Sequence, residues 1–311
     1  MKPAILLTGV NGQVGHEINA LLPRVGTVTA LGREQLDLTR PDDIRRIIRN
    51  AEPDIIVNPA AYTAVDKAET DEAVARAINA QAPAVMAEVA KEIGALLVHY
   101  STDYVFDGSK TTPYSEDDPK NPQNIYGRTK LEGEQAIQKS GAAHLILRTA
   151  WVYGTRGRNF LLTILRLATQ REELKIVSDQ IGAPTSSSAI AGATMEILAK
   201  LYGHETKPPD LQKLSGVYHL TAAGETSWHQ FAKAIVENAS KDGPKLPWLA
   251  VATNNLPLIA RRILPITTNE YPTPARRPAY SVLSNARLAK IFQVQLPDWR
   301  TQLGSLFTGP Q

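Results

Sequence analysis

The sequence predicts an α/β protein: a Rossmann-type, doubly wound parallel sheet with a smaller C-terminal substrate-binding lobe. Three observations predict it. The first half alternates short, uninterrupted apolar runs with helical patterns, which is how strands buried on both faces of a parallel sheet read. The first apolar run leads straight into a glycine-rich turn. After about Trp151 the alternation gives way to less regular, proline-rich chain.

Taken in order, Ala4 to Leu7 reads as a buried strand and Val14 to Leu22 as the helix behind it. Thr27 to Leu31 is a second strand, followed by a helix from Pro41 to Asn50, where proline suits a first helical turn. Asp54 to Val57 is the next strand and Glu72 to Ile93 a long helical region. Leu96 to Ser101 and His144 to Arg148 are further strands, with Lys130 to Ser140 in the helix between them. Beyond Trp151, Phe160 to Thr169, Ser187 to Leu201, Trp228 to Ala239, Ser284 to Phe292 and Trp299 to Phe307 read as helices. Lys175 to Ser178 and Val217 to Leu220 read as short strands, and Pro244 to Pro278 as a long surface connection. Residues 1–151 are therefore expected to form a dinucleotide-binding domain and 152–311 mainly a substrate-binding lobe, with segments near 170–182 and 214–240 returning to the first.

Composition narrows the function classes. With 311 residues, 43% of them hydrophobic and 21% charged, the chain has ample material for a core. Its net charge of +3 is slight and its basic residues are scattered, so neither nucleic acid nor a membrane surface is an expected partner. There is no cysteine, which excludes disulfides, thiolate metal sites and a cysteine nucleophile, and a cytoplasmic location is the expectation. The opening apolar run stops after Leu7, too short for a signal-peptide core, and no stretch approaches the length of a membrane span. A small-molecule partner remains.

Gly9, Gly12 and Gly15 form a G-x-x-G-x-x-G turn between the first strand and first helix. In that context glycines permit a tight turn and close backbone approach to a pyrophosphate, and the helix N-terminus supplies free amides. The second strand ends at Leu31-Gly32-Arg33, where an NAD-preferring protein usually carries an acidic residue. A basic residue there suits a 2′-phosphate, so the expected cofactor is NADPH, with NADH the alternative because Glu34 follows directly.

Tyr126 and Lys130 stand four apart at the mouth of a helix and so share one face. A phenol with a pKa near 10 is a weak acid–base group at neutral pH, and a neighbouring ammonium is expected to bring it toward the working range. Lysine also has donors to spare for a ribose. Upstream, the strand ending at Thr102-Asp103 puts a hydroxyl at the carboxyl edge of the sheet, where open α/β folds bind ligands. A hydroxyl beside a tyrosine can hold a carbonyl oxygen as charge develops on it.

Together these residues resemble the extended short-chain dehydrogenase/reductase superfamily, and within it the dTDP-4-dehydrorhamnose reductases. The resemblance is carried by Gly9 to Gly15, Asn58 to Glu69, Tyr100 to Gly108, Tyr126 to Lys130, Arg148 to Tyr153, Asp179 to Thr185 and Tyr271 to Pro278. These stretches span nearly the whole chain, and the last two are the most specific. The resemblance implies NADPH-dependent reduction of the 4-keto group of a nucleotide-linked deoxysugar, with Thr102, Tyr126 and Lys130 as catalytic triad. It implies pyrophosphate contacts from Gly9, Asn11, Gly12, Gln13, Val14 and Gly15. Arg33 and Asp37 would meet the adenosine half of the cofactor, and Ala60, Ala61 and Tyr62 its middle. Thr102, Asp103, Tyr104 and Trp151 would line the sugar site, and Arg276 and Arg277 would clamp the nucleotide diphosphate.

Some members dimerise through a magnesium site built from glutamates. Glu17 matches the first, but Ser187 or Ser188 and then Ser305 stand where the others align, and hydroxyls do not replace carboxylates on a hard cation. No metal is expected, and the chain is expected to be a monomer or a metal-independent dimer. Two rival readings remain. A dehydratase of this superfamily would carry Thr-Asp-Glu where Tyr104 follows Asp103, whereas an epimerase would differ in not consuming cofactor. A non-catalytic regulatory subunit, as in the β subunit of methionine adenosyltransferase, would have no need of Thr102, Tyr126 and Lys130.

Overall fold

The five strands of the first half, β1 (Ala4–Leu7), β2 (Thr27–Ala30), β3 (Ile55–Asn58), β4 (Leu96–Thr102) and β5 (His144–Thr149), pair in parallel in the computed structural model. The structure describes residues 2–203, 210–241 and 246–308. The strand Gly216–His219 adds to the outer edge of β5, giving the order β2-β1-β3-β4-β5-Gly216–His219. The chain runs outward from β1 to β2 and then crosses back to β3. That reversal leaves a switch point between β1 and β3, where open α/β sheets form their ligand crevice.

The period-2 alternation of the strands divides the core. Ile5, Leu7, Ile55, Val57, Val98 and Leu147 point to one face, packing with Ile18 of the helix Gln13–Leu21 and Ile190 and Ile197 of the helix Ser187–Tyr202. Leu6, Ile56, Leu97 and Ile146 point to the other, against Ile44 and Ile48 of the helix Pro41–Ala51 and Met86 and Val89 of the helix Ala82–Ile93. β3, β4 and β5 are buried on both faces, whereas the edge strand β2 leaves Thr27 and Thr29 exposed. A third apolar cluster lies in the later chain, with Leu161, Leu165, Phe231, Ile235, Trp299 and Leu303 at its centre.

Several expectations are corrected. The helical region Glu72 to Ile93 contains a π-helical turn at Ala77–Gln81. Pro83 has no N–H to give the carbonyl four residues back, that of Asn79, so the regular ladder is interrupted there. The segment near 170–182 does not return to the central sheet. Its strand Glu173–Val177 pairs with Arg262–Ile266, and Ile181–Gly182 pairs with Thr226–Ser227. The helix Ser187–Tyr202, assigned to the lobe, instead covers a face of the sheet. The stretch from Pro244 to Pro278 is more regular than its prolines suggest. It holds the helix Pro247–Thr253, with proline at its start, as well as the strand Arg262–Ile266. Pro244 itself lies outside the described residues.

Candidate active site

Gly9 takes φ +59, and an added Cβ there would stand 2.8 Å from Ala60 Cβ across the switch point. A Cβ on Gly15 would reach within 2.2 Å of the Gly9 carbonyl oxygen, so the loop and helix can close only on glycine. Gly12 caps the helix Gln13–Leu21 with no side-chain bond to the first amides, leaving them for a ligand. Asn11 is exposed, and Val14 lies partly buried behind it. These are the features a pyrophosphate needs, and a dinucleotide fits them. Gln13 is less free than the sequence suggests: its Oε1 accepts from Asn159 Nδ2 at 2.7 Å, tying the loop to the later chain.

Beyond β2, Arg33 is exposed at the rim. Asp37 is partly committed, since its Oδ1 accepts from the amide and hydroxyl of Thr39 at 2.9 and 2.8 Å. Those bonds, with Arg33 adding to them, hold its carboxyl below the usual range. Ala60, Ala61 and Tyr62 follow β3. Tyr62 is held by Asn79, whose Oδ1 accepts from Tyr62 N at 2.9 Å and whose Nδ2 donates to Tyr62 O at 3.1 Å. The same Nδ2 reaches Thr129 Oγ1, one residue before Lys130. The π-helical turn thereby aims a fully buried carboxamide at two elements of the site.

Thr102 ends β4, and its Oγ1 accepts from Tyr104 N while donating to Asp103 Oδ1 at 3.0 Å. The helix Ile125–Ser140 begins beside it because Asn124 caps it, Oδ1 accepting from Gly127 N at 2.8 Å. Glu69 adds a second tie by accepting from Ile125 N. The Tyr104 ring meets the Tyr126 ring edge-on at 5.5 Å. Burial pushes the Tyr126 phenol up to about 12, against the Thr102 hydroxyl pulling it down. Asp103 is buried, its carboxyl pushed up to about 6 by desolvation, and its Oδ2 has no hydrogen-bond partner among the described residues.

Lys130 corrects one expectation. Its Nζ donates to the Tyr100 carbonyl at 2.6 Å and lies 3.2 Å from His99 Nε2, while burial brings its pKa down to about 8. With Lys130 turned toward β4, the Tyr126 phenol is not brought into the neutral range. What Tyr126 presents is a protonated phenol, the form an acid requires.

Trp151 sits in the left-handed region at φ +48, a conformation costing about 1–2 kcal/mol for a residue with a Cβ. Its indole stacks on Trp228 with centroids 3.4 Å apart and planes 4° from parallel. Phe160 backs Trp228 in turn. Arg276 and Arg277 lie where the 271–278 loop docks over the start of the helix Ile125–Ser140. Asn124 Nδ2 donates to the Arg276 carbonyl at 2.8 Å, and Arg277 pairs with Asp66 at 2.7 Å. The Arg277 guanidinium is thus tied to protein, and Arg276 is the more exposed of the two.

Sequence reasoning missed Asn79, His99, Asn124 and Trp228. Asn124 carried a signal, an Asn placed just ahead of a helix. The other three reach the site only through pairings distant along the chain.

Comparison with known proteins identifies the family. The family model described as RmlD substrate binding domain matches residues 1–309. The chain is 51% identical to a dTDP-4-dehydrorhamnose reductase of Burkholderia thailandensis over 96% of each sequence. It is 41% identical to that of Escherichia coli K12 over 98% of each. A solved dTDP-4-dehydrorhamnose reductase of Bacillus anthracis, in complex with NADP, superposes with a TM-score of 0.85 at 33% identity, covering 99% of both chains. A match running from the glycine turn through the C-terminal arginines places this chain in the RmlD substrate binding domain family, alongside the dTDP-4-dehydrorhamnose reductases.

Proposed function

We propose that this chain reduces the 4-keto group of dTDP-4-dehydro-L-rhamnose to dTDP-L-rhamnose at the expense of NADPH. The observation that carries the reading is the meeting of a dinucleotide cradle and a protonated phenol, Tyr126 beside Thr102, at one edge of the sheet. NADPH, when bound, supplies the hydride. The glycine turn holds its pyrophosphate, Arg33 its 2′-phosphate, and the Ala60 to Tyr62 loop its middle. Thr102 donates a hydrogen bond to the substrate C4 oxygen as negative charge grows there, giving up its bond to Asp103. Tyr126 delivers the proton to that oxygen. Lys130 would offer its remaining N–H to the nicotinamide ribose. Asp103, Tyr104 and Trp151 line the sugar pocket, and Arg276 and Arg277 meet the diphosphate.

An epimerase reading is weakened by the lack of need, in epimerisation, for net proton delivery at C4. A regulatory-subunit reading leaves Thr102, Tyr126 and Lys130 without a task. The substrate lobe is taken as residues 152–311 less the helix Ser187–Tyr202 and the strand Gly216–His219. The chain is taken as a cytoplasmic monomer or metal-independent dimer. Ser188 and Ser305 line one hollow, in which Glu196 is the acidic residue and Glu17 takes no part. Among the described residues no helix is long and apolar enough to cross a membrane, and no three acidic or histidine side chains gather as metal ligands.

The test is to mix protein, dTDP-4-dehydro-L-rhamnose and NADPH and follow nicotinamide absorbance with product analysis. Oxidation in step with dTDP-L-rhamnose is the expected result. NADPH bound but not consumed would overturn the reading.

A further inference from the structure

Behind the site lies a row of buried polar groups that the proposed reaction leaves without a role. His99 is fully buried in β4, with its two ring nitrogens facing different partners: Nδ1 is 3.0 Å from Asn58 Nδ2 and Nε2 is 3.2 Å from Lys130 Nζ. Asn58, also fully buried at the end of β3, accepts from the Thr8 hydroxyl at 2.6 Å through Oδ1. Thr8 immediately precedes the glycine turn. Thr8 just past β1, Asn58 at the end of β3 and His99 within β4 are thus joined to the lysine of the site by one hydrogen-bonded chain.

Each link can either donate or accept. A threonine hydroxyl does both, a carboxamide presents oxygen or N–H according to its orientation, and a neutral imidazole donates at one nitrogen and accepts at the other. The ring is neutral, because burial together with the Lys130 charge holds its pKa well below the usual histidine value. Two polarities follow. With Thr8 donating to Asn58 and Asn58 N–H donating to Nδ1, the ring proton sits on Nε2 and is offered to the lone pair of an uncharged Lys130. With the carboxamide turned over, Nδ1–H is donated to its oxygen, and Nε2 accepts from a Lys130 ammonium.

Lys130 keeps the same place in both. As an ammonium it spends one N–H on the Tyr100 carbonyl and one on His99, leaving one. As an amine it spends one N–H on Tyr100 and its lone pair on His99, again leaving one. The remaining groups around it are accounted for: Glu134, one turn along the same helix, is engaged by Arg148, and Tyr126 is a neutral phenol.

We infer that His99 is a positioning residue for Lys130, holding Nζ against the Tyr100 carbonyl in either charge state so that a single N–H is directed to the site. The inference rests on the reading of Lys130 as part of the catalytic machinery. Burial bringing Lys130 down to about 8 is consistent with it, since both charge states are then within reach near neutrality.

The experiment compares three replacements in the full chain. Gln reaches about as far as Nε2 and offers either an acceptor or a donor to Lys130. Asn reaches only as far as Nδ1, and Phe offers neither. His99→Gln is expected to hold kcat within about threefold of the parent, while His99→Asn and His99→Phe lower it about tenfold or more. On a Lys130→Met background the same changes should alter kcat less than about twofold, because the group being positioned is gone. Equal losses for Gln and Asn, or an undiminished loss on the Lys130→Met background, would show a structural role only and overturn the inference. Full turnover in all three would overturn it as well. Lys130→Met retaining parental turnover would instead remove the reading beneath it. Nitrogen-15 NMR of the parent protein gives a readout that no folding defect in a His99 variant can obscure. The His99 ring is expected to be neutral, and its nitrogen shifts to move in Lys130→Met. A doubly protonated ring, or shifts indifferent to Lys130, would overturn the inference.

Discussion

Two cations are buried side by side, Arg148 on β5 and Lys130 on the helix Ile125–Ser140, and they are stabilised in opposite ways. Arg148 and Glu134 are each 1% exposed and form a two-pronged pair at 2.9 and 2.6 Å. Lys130, one turn from Glu134, is as deeply buried but has only a carbonyl and an imidazole for company. Arg148 also lies over the Phe106 ring and near His219, closing a site with no open side. A guanidinium cannot discharge, so burial demands a full counter-charge. An ammonium can, so its burial is met by a lowered pKa. The first arrangement holds β5 to the helix Ile125–Ser140. The second keeps a charge available at the site.

The difference can be broken at either end. Tyr126→Phe, on the Lys130 side, should lower kcat by about 10²–10⁴-fold while leaving the urea midpoint nearly unchanged. Arg148→Met should do the reverse, destabilising the fold by about 3–5 kcal/mol because Glu134 is left buried and alone. Urea denaturation of Arg148→Met combined with Glu134→Leu should recover much of that loss, since two uncharged groups leave nothing unpaired.

A pH series sharpens the contrast. Lys130 has a folded pKa near 8, below its unfolded value of 10.5, so the unfolded state binds more protons between those two values. Stability from this group is therefore absent below pH 8 and gained as pH rises toward 10.5. At about 1.4 kcal/mol per unit the gain is on the order of 3 kcal/mol. Subtracting the stability curve of Lys130→Met from that of the parent should reveal a rise of this sign. Arg148→Met should leave that rise in place. Asp103 should show the opposite sign over a lower range: its folded value near 6 lies above 3.8, so its contribution is present below pH 3.8 and lost as pH rises through 6. Asp103→Asn should remove that decline.

The smallest effect belongs to the rim. Arg277 and Asp66 form a partly exposed pair, so Arg277→Gln should cost less than about 1 kcal/mol of stability. If Arg277 also meets the substrate diphosphate, KM for the nucleotide sugar should rise several-fold while KM for NADPH stays level. An unchanged KM would confine Arg277 to docking its own loop.

Much of the sheet was legible because each strand is a short run built around apolar residues, and β1 to β5 fall within a residue or two of their expected limits. The glycine turn was legible for a similar reason, since only glycine allows φ +59 at Gly9 and the close packing at Gly15. The second half was harder. Arg262–Ile266 is a strand only because Glu173–Val177 lies beside it, and nothing local distinguishes its Pro265 from a proline of a loop. Trp151 was singled out, whereas its stacking partner Trp228 looked like one more residue at the head of an amphipathic helix.

By itself the sequence determined the alternation of strands and helices, the cradle for a dinucleotide and the Tyr126–Lys130 spacing. Each of these depends on local geometry: side-chain periodicity, backbone freedom at glycine, and the pitch of a helix. Only the tertiary structure decided which way Lys130 faces. That depends on His99 and Asn58, 31 and 72 positions earlier in the chain, and on the desolvation that parallel pairing of β3, β4 and β5 imposes on all three. Burial and partner choice are properties of the packed sheet, and no spacing along the chain encodes them.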